Sequence, residues 1–185
     1  MKHLLVGLSG LFALLVLTGC GESNQAKTII EEGPSFKEAK AIANPIYELK
    51  TTDGEALPVR IEGDRLTSEK LNGKFVLLNF WATWCATCKE EMPMVNQLHK
   101  EYGDQVTIIG VLYEEPLDNT MLKKFMEKYN MKFIVVNSED NMRLSKNIGL
   151  TGVPEFYLYS KEGKLLTKSI ASVDIPTITK YLEVK

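Results

Sequence analysis

Cysteine is scarce in this chain: only three of its 185 residues are Cys. That number is odd and too small for a scaffold held together by several disulfides, so each Cys has to be assigned individually. Neither sign of charge dominates, since 22 Lys and Arg stand against 24 Asp and Glu and the formal net charge is −2. The two signs are mixed along the chain, so we expect no basic stripe on the surface and no nucleic acid partner.

The composition, 44% hydrophobic and 25% charged, is typical of one folded domain of ordinary size. It excludes a disordered chain, a collagen-like chain and a membrane protein with several spans. No internal repeat is present, and the chain beyond the N-terminal segment has the length of one domain.

Residues 1–19 have the pattern of an export signal, in which Lys2 gives a charged start and residues 4–17 are nearly all apolar. The run is shorter than the about 20 residues that a membrane span needs. The segment Leu17-Thr18-Gly19-Cys20 resembles the lipobox of bacterial lipoproteins. This resemblance implies cleavage before Cys20 and a lipid on its sulfur. The alternatives are an uncleaved anchor and a plain signal peptide followed by a chance Cys.

Residues 20–44 are polar and weakly patterned, with at most a short helix over residues 35–43. This pattern predicts a lipidated, flexible tether that holds a folded domain, residues 45–185, away from the bilayer.

The folded part alternates strand and helix patterns. Phe75–Trp81 and Val106–Leu112 are continuous apolar runs, typical of strands buried on both faces, and Cys88–Tyr102 between them has helical spacing. Together they predict a βαβ unit. The other predicted elements are a hairpin of Ile46–Lys50 and Leu57–Ile61, a helix over Asp118–Tyr129, a strand over Phe133–Val136, a short helix over Asn141–Asn147, a hairpin of Glu155–Tyr159 and Lys164–Ile170, and a closing helix over Ile175–Leu182. The order predicts an α/β fold with its chemistry at the carboxyl ends of the parallel strands.

Cys85 and Cys88 stand three positions apart at the start of a predicted helix, close enough to form a disulfide across one turn. Free backbone N–H groups and the positive end of the helix dipole stabilise a thiolate at such a place. We therefore expect Cys85 to be exposed, to have a pKa below the free value of about 8.5 and to be the attacking sulfur. Cys88, inside the first turn, would then resolve the mixed disulfide.

Three other interpretations of this pair are weaker. A structural zinc needs about four ligands, and after signal cleavage His99 is the only His besides the two Cys. Covalent haem needs a His directly after the second Cys, where Lys89 stands. A purely structural disulfide would close too short a loop to restrain the unfolded chain much. We expect neither a metal nor a cofactor, and we assign His99 to the surface or to packing.

The segment from Asn79 to Pro93, NFWATWCATCKEEMP, resembles the active-site segment of the TlpA/ResA-like thioredoxins, and Gly152-Val153-Pro154 resembles their second signature. The resemblance covers about residues 45–185. It implies a thioredoxin fold with an N-terminal β-hairpin extension and a central mixed sheet flanked by helices. It also implies that Pro154 is in the cis form beside the disulfide, and that substrate chains bind against Trp84, Val153 and Pro154.

Three residues depart from the family pattern. Cytoplasmic thioredoxins have a buried Asp where this chain has Asn79, and an amide cannot take a proton from Cys88. Thr87 stands where relatives often have Pro, which leaves the reduction potential open. Glu155 follows Pro154 where many relatives have Thr, and a carboxylate close to the sulfurs would oppose a thiolate.

Glu91 is the candidate for proton transfer at Cys88. Cys88, Glu91 and Val95 step by three and four residues and so share one stripe of the helix, which we expect to face the sheet. Burial there would raise the pKa of the carboxyl group toward neutrality. The alternative is an ordinary acid in the first turn of a helix, a description that suits the neighbouring Glu90.

These observations predict a lipid-anchored thiol-disulfide oxidoreductase of the bacterial cell envelope, facing the periplasm or extracytoplasmic space. Its expected partners are exported proteins with disulfides, such as apocytochrome c, a membrane thiol electron donor, and the bilayer through Cys20. We expect a monomer, on either the inner or the outer membrane. The alternatives are an oxidant of the DsbA type, which would carry a helical insertion, and a non-catalytic binding lipoprotein, against which the retention of Cys85 and Cys88 argues.

Overall fold

The computed structural model describes residues 45–71 and 73–183. The predicted signal peptide over residues 1–19, the tether over residues 20–44 and the predicted lipid site Cys20 lie outside the described residues. Within the described ranges, no helix has both the length and the apolar character to cross a membrane.

The elements follow in chain order and agree with the predicted ones to within one or two residues at most ends. The strands are β1 (Ile46–Lys50), β2 (Ala56–Glu62), β3 (Arg65–Thr67), β4 (Phe75–Trp81), β5 (Val106–Leu112), β6 (Ile134–Val136), β7 (Glu155–Tyr159) and β8 (Leu165–Ile170). The helices are α1 (Ala86–Tyr102), α2 (Asn119–Lys128), α3 (Asp140–Asn147) and α4 (Ile175–Glu183), and a short 3-10 helix spans Glu69–Leu71. Helix α1 begins two residues earlier than the predicted Cys88, because Cys85 caps it.

The central sheet has five strands in the order β6-β5-β4-β7-β8. Strand β4 pairs in parallel with β5, which pairs in parallel with β6. Strands β7 and β8 continue the sheet in antiparallel pairing on the other side of β4. The sheet is therefore mixed, and its middle strand is the apolar run that the sequence predicts to be buried on both faces.

Alternate residues of β4 belong to two separate hydrophobic cores, one on each face of the sheet. Leu77 and Trp81 pack on one face with apolar side chains from α1, α2 and α4. Val76, Leu78 and Phe80 pack on the other face with residues of β1, β2 and α3. Helices and the N-terminal strands thus cover the two faces of the sheet, which is the expected thioredoxin fold.

The predicted N-terminal hairpin is present and is larger than expected. Strands β1 and β2 pair in antiparallel register, and the short strand β3, which the sequence pattern does not predict, adds a third member to this separate sheet. Three residues are too few for an alternating pattern to show. Backbone hydrogen bonds join the N-terminal sheet to the central one, from Asn137 N–H to the Lys50 carbonyl (2.8 Å) and from Leu66 N–H to the Gly163 carbonyl (2.8 Å).

Gly163, in the turn between β7 and β8, is predicted to be intolerant of any side chain. Its φ is +82°, and a Cβ atom there would lie 1.9 Å from the carbonyl oxygen of Leu66. Gly163→Ala should lower the free energy of unfolding by more than about 2 kcal/mol, because backbone strain and a backbone clash add. Urea denaturation measures this loss.

The control is Gly54→Ala, which has a similar φ of +86° with no atom within 4 Å of the added Cβ. Gly54→Ala should lower the free energy of unfolding only by the backbone strain at this φ, about 1 kcal/mol. Equal losses in the two variants would show that the N-terminal sheet is not packed against the β7–β8 turn.

Candidate functional site

Cys85 and Cys88 form a disulfide at the carboxyl end of β4, where the chain enters α1. Cys85 is the N-cap residue of the helix, with extended backbone angles, and the backbone N–H of Cys88 donates to its Sγ over 3.1 Å. A sulfur thus takes the acceptor position that a hydroxyl or carboxylate oxygen usually occupies at a helix start. In the dithiol form, the same N–H and the helix dipole favour a negative charge on Cys85.

The prediction of an exposed Cys85 is wrong for the disulfide form. Cys85 is 6% exposed and Cys88 1% exposed, and both belong to the apolar core between α1 and the sheet. The Sγ of Cys85 lies 3.7 Å from the carbonyl oxygen of Val153. The residue that is open to solvent is Trp84, at 63%.

The Val153–Pro154 peptide bond is cis, as the resemblance implies. Val153 is half-buried and Pro154 is buried, and the Pro154 carbonyl accepts a hydrogen bond of 2.9 Å from the backbone N–H of Ala171. This bond ties the segment before β7 to the end of β8, where Ile170 is 59% exposed. The structure therefore brings together the predicted residues Cys85, Cys88, Val153 and Pro154.

Glu114 holds the loop before Cys85, and the sequence analysis missed it. The carboxylate of Glu114 accepts from the backbone N–H of Thr83 at 2.6 Å and from its hydroxyl at 3.1 Å. The sequence does contain a signal for this contact. Glu114 lies two residues after the end of β5, and β5 ends next to the end of β4 because the two strands are parallel. The contact fixes the path of the chain between β4 and the disulfide.

Glu91 is half-buried on α1, one turn after Cys88, but its observed partner is not a sulfur. Its Oε2 accepts a hydrogen bond of 2.8 Å from the backbone N–H of Val173, in the segment between β8 and α4. Glu90 is exposed, as predicted. Asn79 is 1% exposed on β4, and its Oδ1 has no hydrogen-bond partner among the described residues.

Glu155 does not oppose a thiolate in the way expected from its place next to Pro154. Side chains alternate along β7, so Phe156 packs in the same core as the two Cys, whereas Glu155 shares the opposite face with Tyr157. The expectation fails because the pleat of the strand directs the carboxylate away from the sulfurs.

The Glu155 side chain is completely buried, and both of its carboxylate oxygens have polar partners. It accepts from the Thr151 backbone N–H (2.9 Å), from the Thr151 hydroxyl, and from the Tyr157 hydroxyl (2.6 Å), and it pairs with the Lys168 ammonium at 2.8 Å. Burial alone raises the pKa of Glu155, but the hydrogen bonds from Lys168, Thr151 and Tyr157 outweigh burial and lower the pKa to about 2. The carboxylate is therefore ionised at neutral pH.

Comparison with known proteins agrees with this geometry. Residues 36–183 match the model of the Redoxin family. The chain belongs to the Redoxin family. This redoxin is 32% identical over 167 residues to the thiol-disulfide oxidoreductase ResA of Geobacillus thermodenitrificans, covering 88% of this chain and 87% of that protein. It is 31% identical over 123 residues to ResA of Bacillus anthracis, covering 66% and 70%.

A solved structure shows the same fold. The thioredoxin domain of a thiol-disulfide oxidoreductase from Bacteroides vulgatus superimposes on this redoxin with a TM-score of 0.60, at 23% identity, over 75% of this chain and 94% of that one. The family, the relatives and the Cys85–Cys88 pair together make this redoxin a thiol-disulfide oxidoreductase of the ResA type.

The buried carboxylate of Glu155 predicts a specific pH dependence of stability. A pKa lowered from 4.5 to about 2 means that the ionised form stabilises the fold above pH 4.5, and that this contribution is lost as the pH falls toward 2. Glu155→Gln should therefore be less stable than the natural chain by about 2–3 kcal/mol at neutral pH, and the difference should shrink between pH 4.5 and 2. Urea denaturation at a series of pH values measures it. A difference that is constant from pH 7 to pH 2.5 would show that the carboxylate is not held ionised.

Proposed function

We propose that this redoxin is a lipid-anchored reductant of disulfides in exported proteins, such as apocytochrome c. The observation that carries the proposal is the Cys85–Cys88 pair at the start of α1, with the Val153 carbonyl against Cys85 and Trp84 exposed beside it. The lipobox-like segment before Cys20 supports the anchor and an extracytoplasmic location in the cell envelope. Relatives that are named ResA support the thiol-disulfide chemistry.

The proposed reaction starts from the dithiol form. The thiolate of Cys85 attacks one sulfur of the substrate disulfide, so that a mixed disulfide forms and the other substrate sulfur leaves as a thiolate. Cys88 then attacks the Sγ of Cys85 and releases the second substrate thiolate. Two electrons pass to the substrate, and the redoxin ends as the disulfide seen in the structure. A membrane thiol donor would return it to the dithiol.

Substrate would bind on the apolar surface around the disulfide. Trp84 and Ile170 are both exposed, and Ile170 stands beside Pro154 because Ala171, the next residue, donates its N–H to the Pro154 carbonyl. An extended substrate chain would lie against the Val153–Pro154 backbone between them. We propose that the redoxin binds such chains as a monomer.

Glu91 is the proposed acid–base group for Cys88. It lies one turn further along α1, and Asn79 offers an amide where cytoplasmic thioredoxins have an acid. The Val173 N–H binds Oε2, so the other carboxylate oxygen remains available for a proton. The same hydrogen bond holds the Glu91 side chain in a defined position on α1, the helix on which Cys88 also lies.

The function is tested by trapping the mixed disulfide. Cys88→Ser leaves Cys85 as the only active-site thiol, so the variant, expressed as the full chain, should accumulate covalent adducts with its substrates. Mass spectrometry of the captured proteins, after non-reducing electrophoresis, is expected to identify exported proteins with paired Cys. Cys85→Ser is the matched control and should capture few proteins or none.

The same experiment decides the direction of exchange. If this redoxin is a reductant, the captured proteins should accumulate in their oxidised form in cells that lack it. Accumulation of the same proteins in their reduced form would instead favour an oxidant of the DsbA type. Equal capture by the two Ser variants would contradict the assignment of Cys85 as the attacking sulfur.

The proposed anchor is tested separately with Cys20→Ser. We expect the natural chain to be cleaved before Cys20, to carry lipid and to sediment with membranes, whereas the variant should lose the lipid. Mass spectrometry of the mature N-terminus and membrane fractionation measure this. A variant that is still cleaved at the same bond and still sediments with membranes would overturn the lipoprotein assignment.

A further inference from the structure

Glu155 is a buried charge that the exchange reaction does not use. Its side chain has no exposed surface, and it lies on the face of the sheet opposite to the sulfurs. An ionised carboxylate is costly to bury unless a partner compensates for its charge, and Lys168 does so here from the neighbouring strand β8. Glu155 begins β7, directly after the segment Thr151–Pro154, and this position indicates which part of the chain the pair of Glu155 and Lys168 holds in place.

The Glu155 carboxylate binds the first residue of the segment Thr151–Val153. Both the backbone N–H and the hydroxyl of Thr151 donate to Oε1 of Glu155. Within residues 45–71 and 73–183, no other backbone N–H of this segment has a hydrogen-bond acceptor. A Cβ atom built on Gly152 would meet nothing within 4 Å, so packing does not restrain the middle of the segment either. Glu155 is therefore the main polar restraint on its path.

The other end of the segment faces the sulfur. The carbonyl oxygen of Val153, two residues after Thr151, lies 3.7 Å from Sγ of Cys85. Displacement of Thr151 would move this carbonyl, because only Gly152 separates the two residues. We propose that Glu155, paired with Lys168, is a positioning residue that holds the Thr151–Val153 segment and thereby keeps the Val153 carbonyl against Cys85.

This position matters for the reactivity of Cys85 in the dithiol form. A thiol can donate a hydrogen bond to a carbonyl and a thiolate cannot, so the Val153 carbonyl favours the protonated form of Cys85. The Cys88 N–H, which donates to the same sulfur, favours the thiolate. Release of the segment would remove the first contact and leave the second. Cys85 should then become a thiolate at lower pH.

Two variants separate positioning from a simple effect of charge. Thr151→Val removes the hydroxyl bond to Glu155 without changing any charge, at an exposed position where the fold should tolerate it. Lys168→Met removes the cation, after which the buried carboxylate takes up a proton or turns toward water; both outcomes weaken its bonds to Thr151. If Glu155 stays ionised, loss of the positive charge would by itself disfavour the thiolate, and if Glu155 takes up a proton the net charge does not change. A fall of the midpoint in Lys168→Met is therefore expected only from release of the segment.

The experiment follows alkylation of Cys85 by iodoacetamide in the reduced, full-length chain from pH 5 to pH 10, with mass spectrometry to assign the modified Cys. In both variants the midpoint of the pH profile should fall by about 0.5–1 unit, the size of one lost hydrogen bond. Thr167→Val is the control, since it makes the same change on β8 without contact to Glu155. It should keep the natural midpoint.

The charged groups near the disulfide, which are Lys89 directly after Cys88, Glu91 on α1 and Glu114 after β5, are unchanged in all three variants. A rise of the midpoint in Lys168→Met, with a natural midpoint in Thr151→Val, would show that the pair acts only through its field. Natural midpoints in both would show that Glu155 and Lys168 serve stability alone. The test needs no physiological substrate, so it is independent of the proposed direction of exchange and of the anchor.

Discussion

Strand β4 has apolar side chains on both faces, and this constraint organises the domain. Such a strand has to be covered on each side, and here α1, α2 and α4 cover one face while the N-terminal strands and α3 cover the other. It also has to be flanked by two strands, β5 in parallel and β7 in antiparallel pairing. The chain leaves β4 after the buried Trp81, and residues 82–85 lead into α1. The disulfide therefore stands at the end of the best-anchored strand.

Three segments outside the helices and strands are each held by the carboxylate of a Glu side chain. Glu114 binds Thr83 before Cys85, Glu91 binds Val173 before α4, and Glu155 binds Thr151 before Pro154. In each case the carboxylate accepts a hydrogen bond from a backbone N–H group, so the contact restrains the path of the main chain. Loops carry few regular hydrogen bonds of their own, and such contacts supply what the strands and helices cannot.

Cys85 lies between two opposite influences. In the dithiol form, the helix start and the Cys88 N–H would favour a negative sulfur, whereas the Val153 carbonyl and the surrounding apolar core would favour a neutral one. The same core keeps the disulfide nearly closed to solvent, and the exposed ring of Trp84 stands beside it. Only a small fraction of the surface of Cys85 and Cys88 is thus open to a partner in the disulfide form.

Local sequence patterns predict the features of this protein that depend on near neighbours along the chain. The apolar runs of β4 and β5, the helical spacing between them, and two Cys three residues apart at a helix start are local patterns, and they were sufficient for the fold class and for the Cys85–Cys88 pair. Contacts between residues that are distant in the chain depend instead on how the folded elements pack. Glu91 meets Val173, 82 positions away, and the pleat of β7 directs Glu155 toward Lys168 and away from the sulfurs. The contact of Cys85 with the Val153 carbonyl belongs to the same group, because Val153 lies 68 positions further along the chain. No local pattern contains that information, since such partners are chosen by how the packed strands and helices bring their ends together.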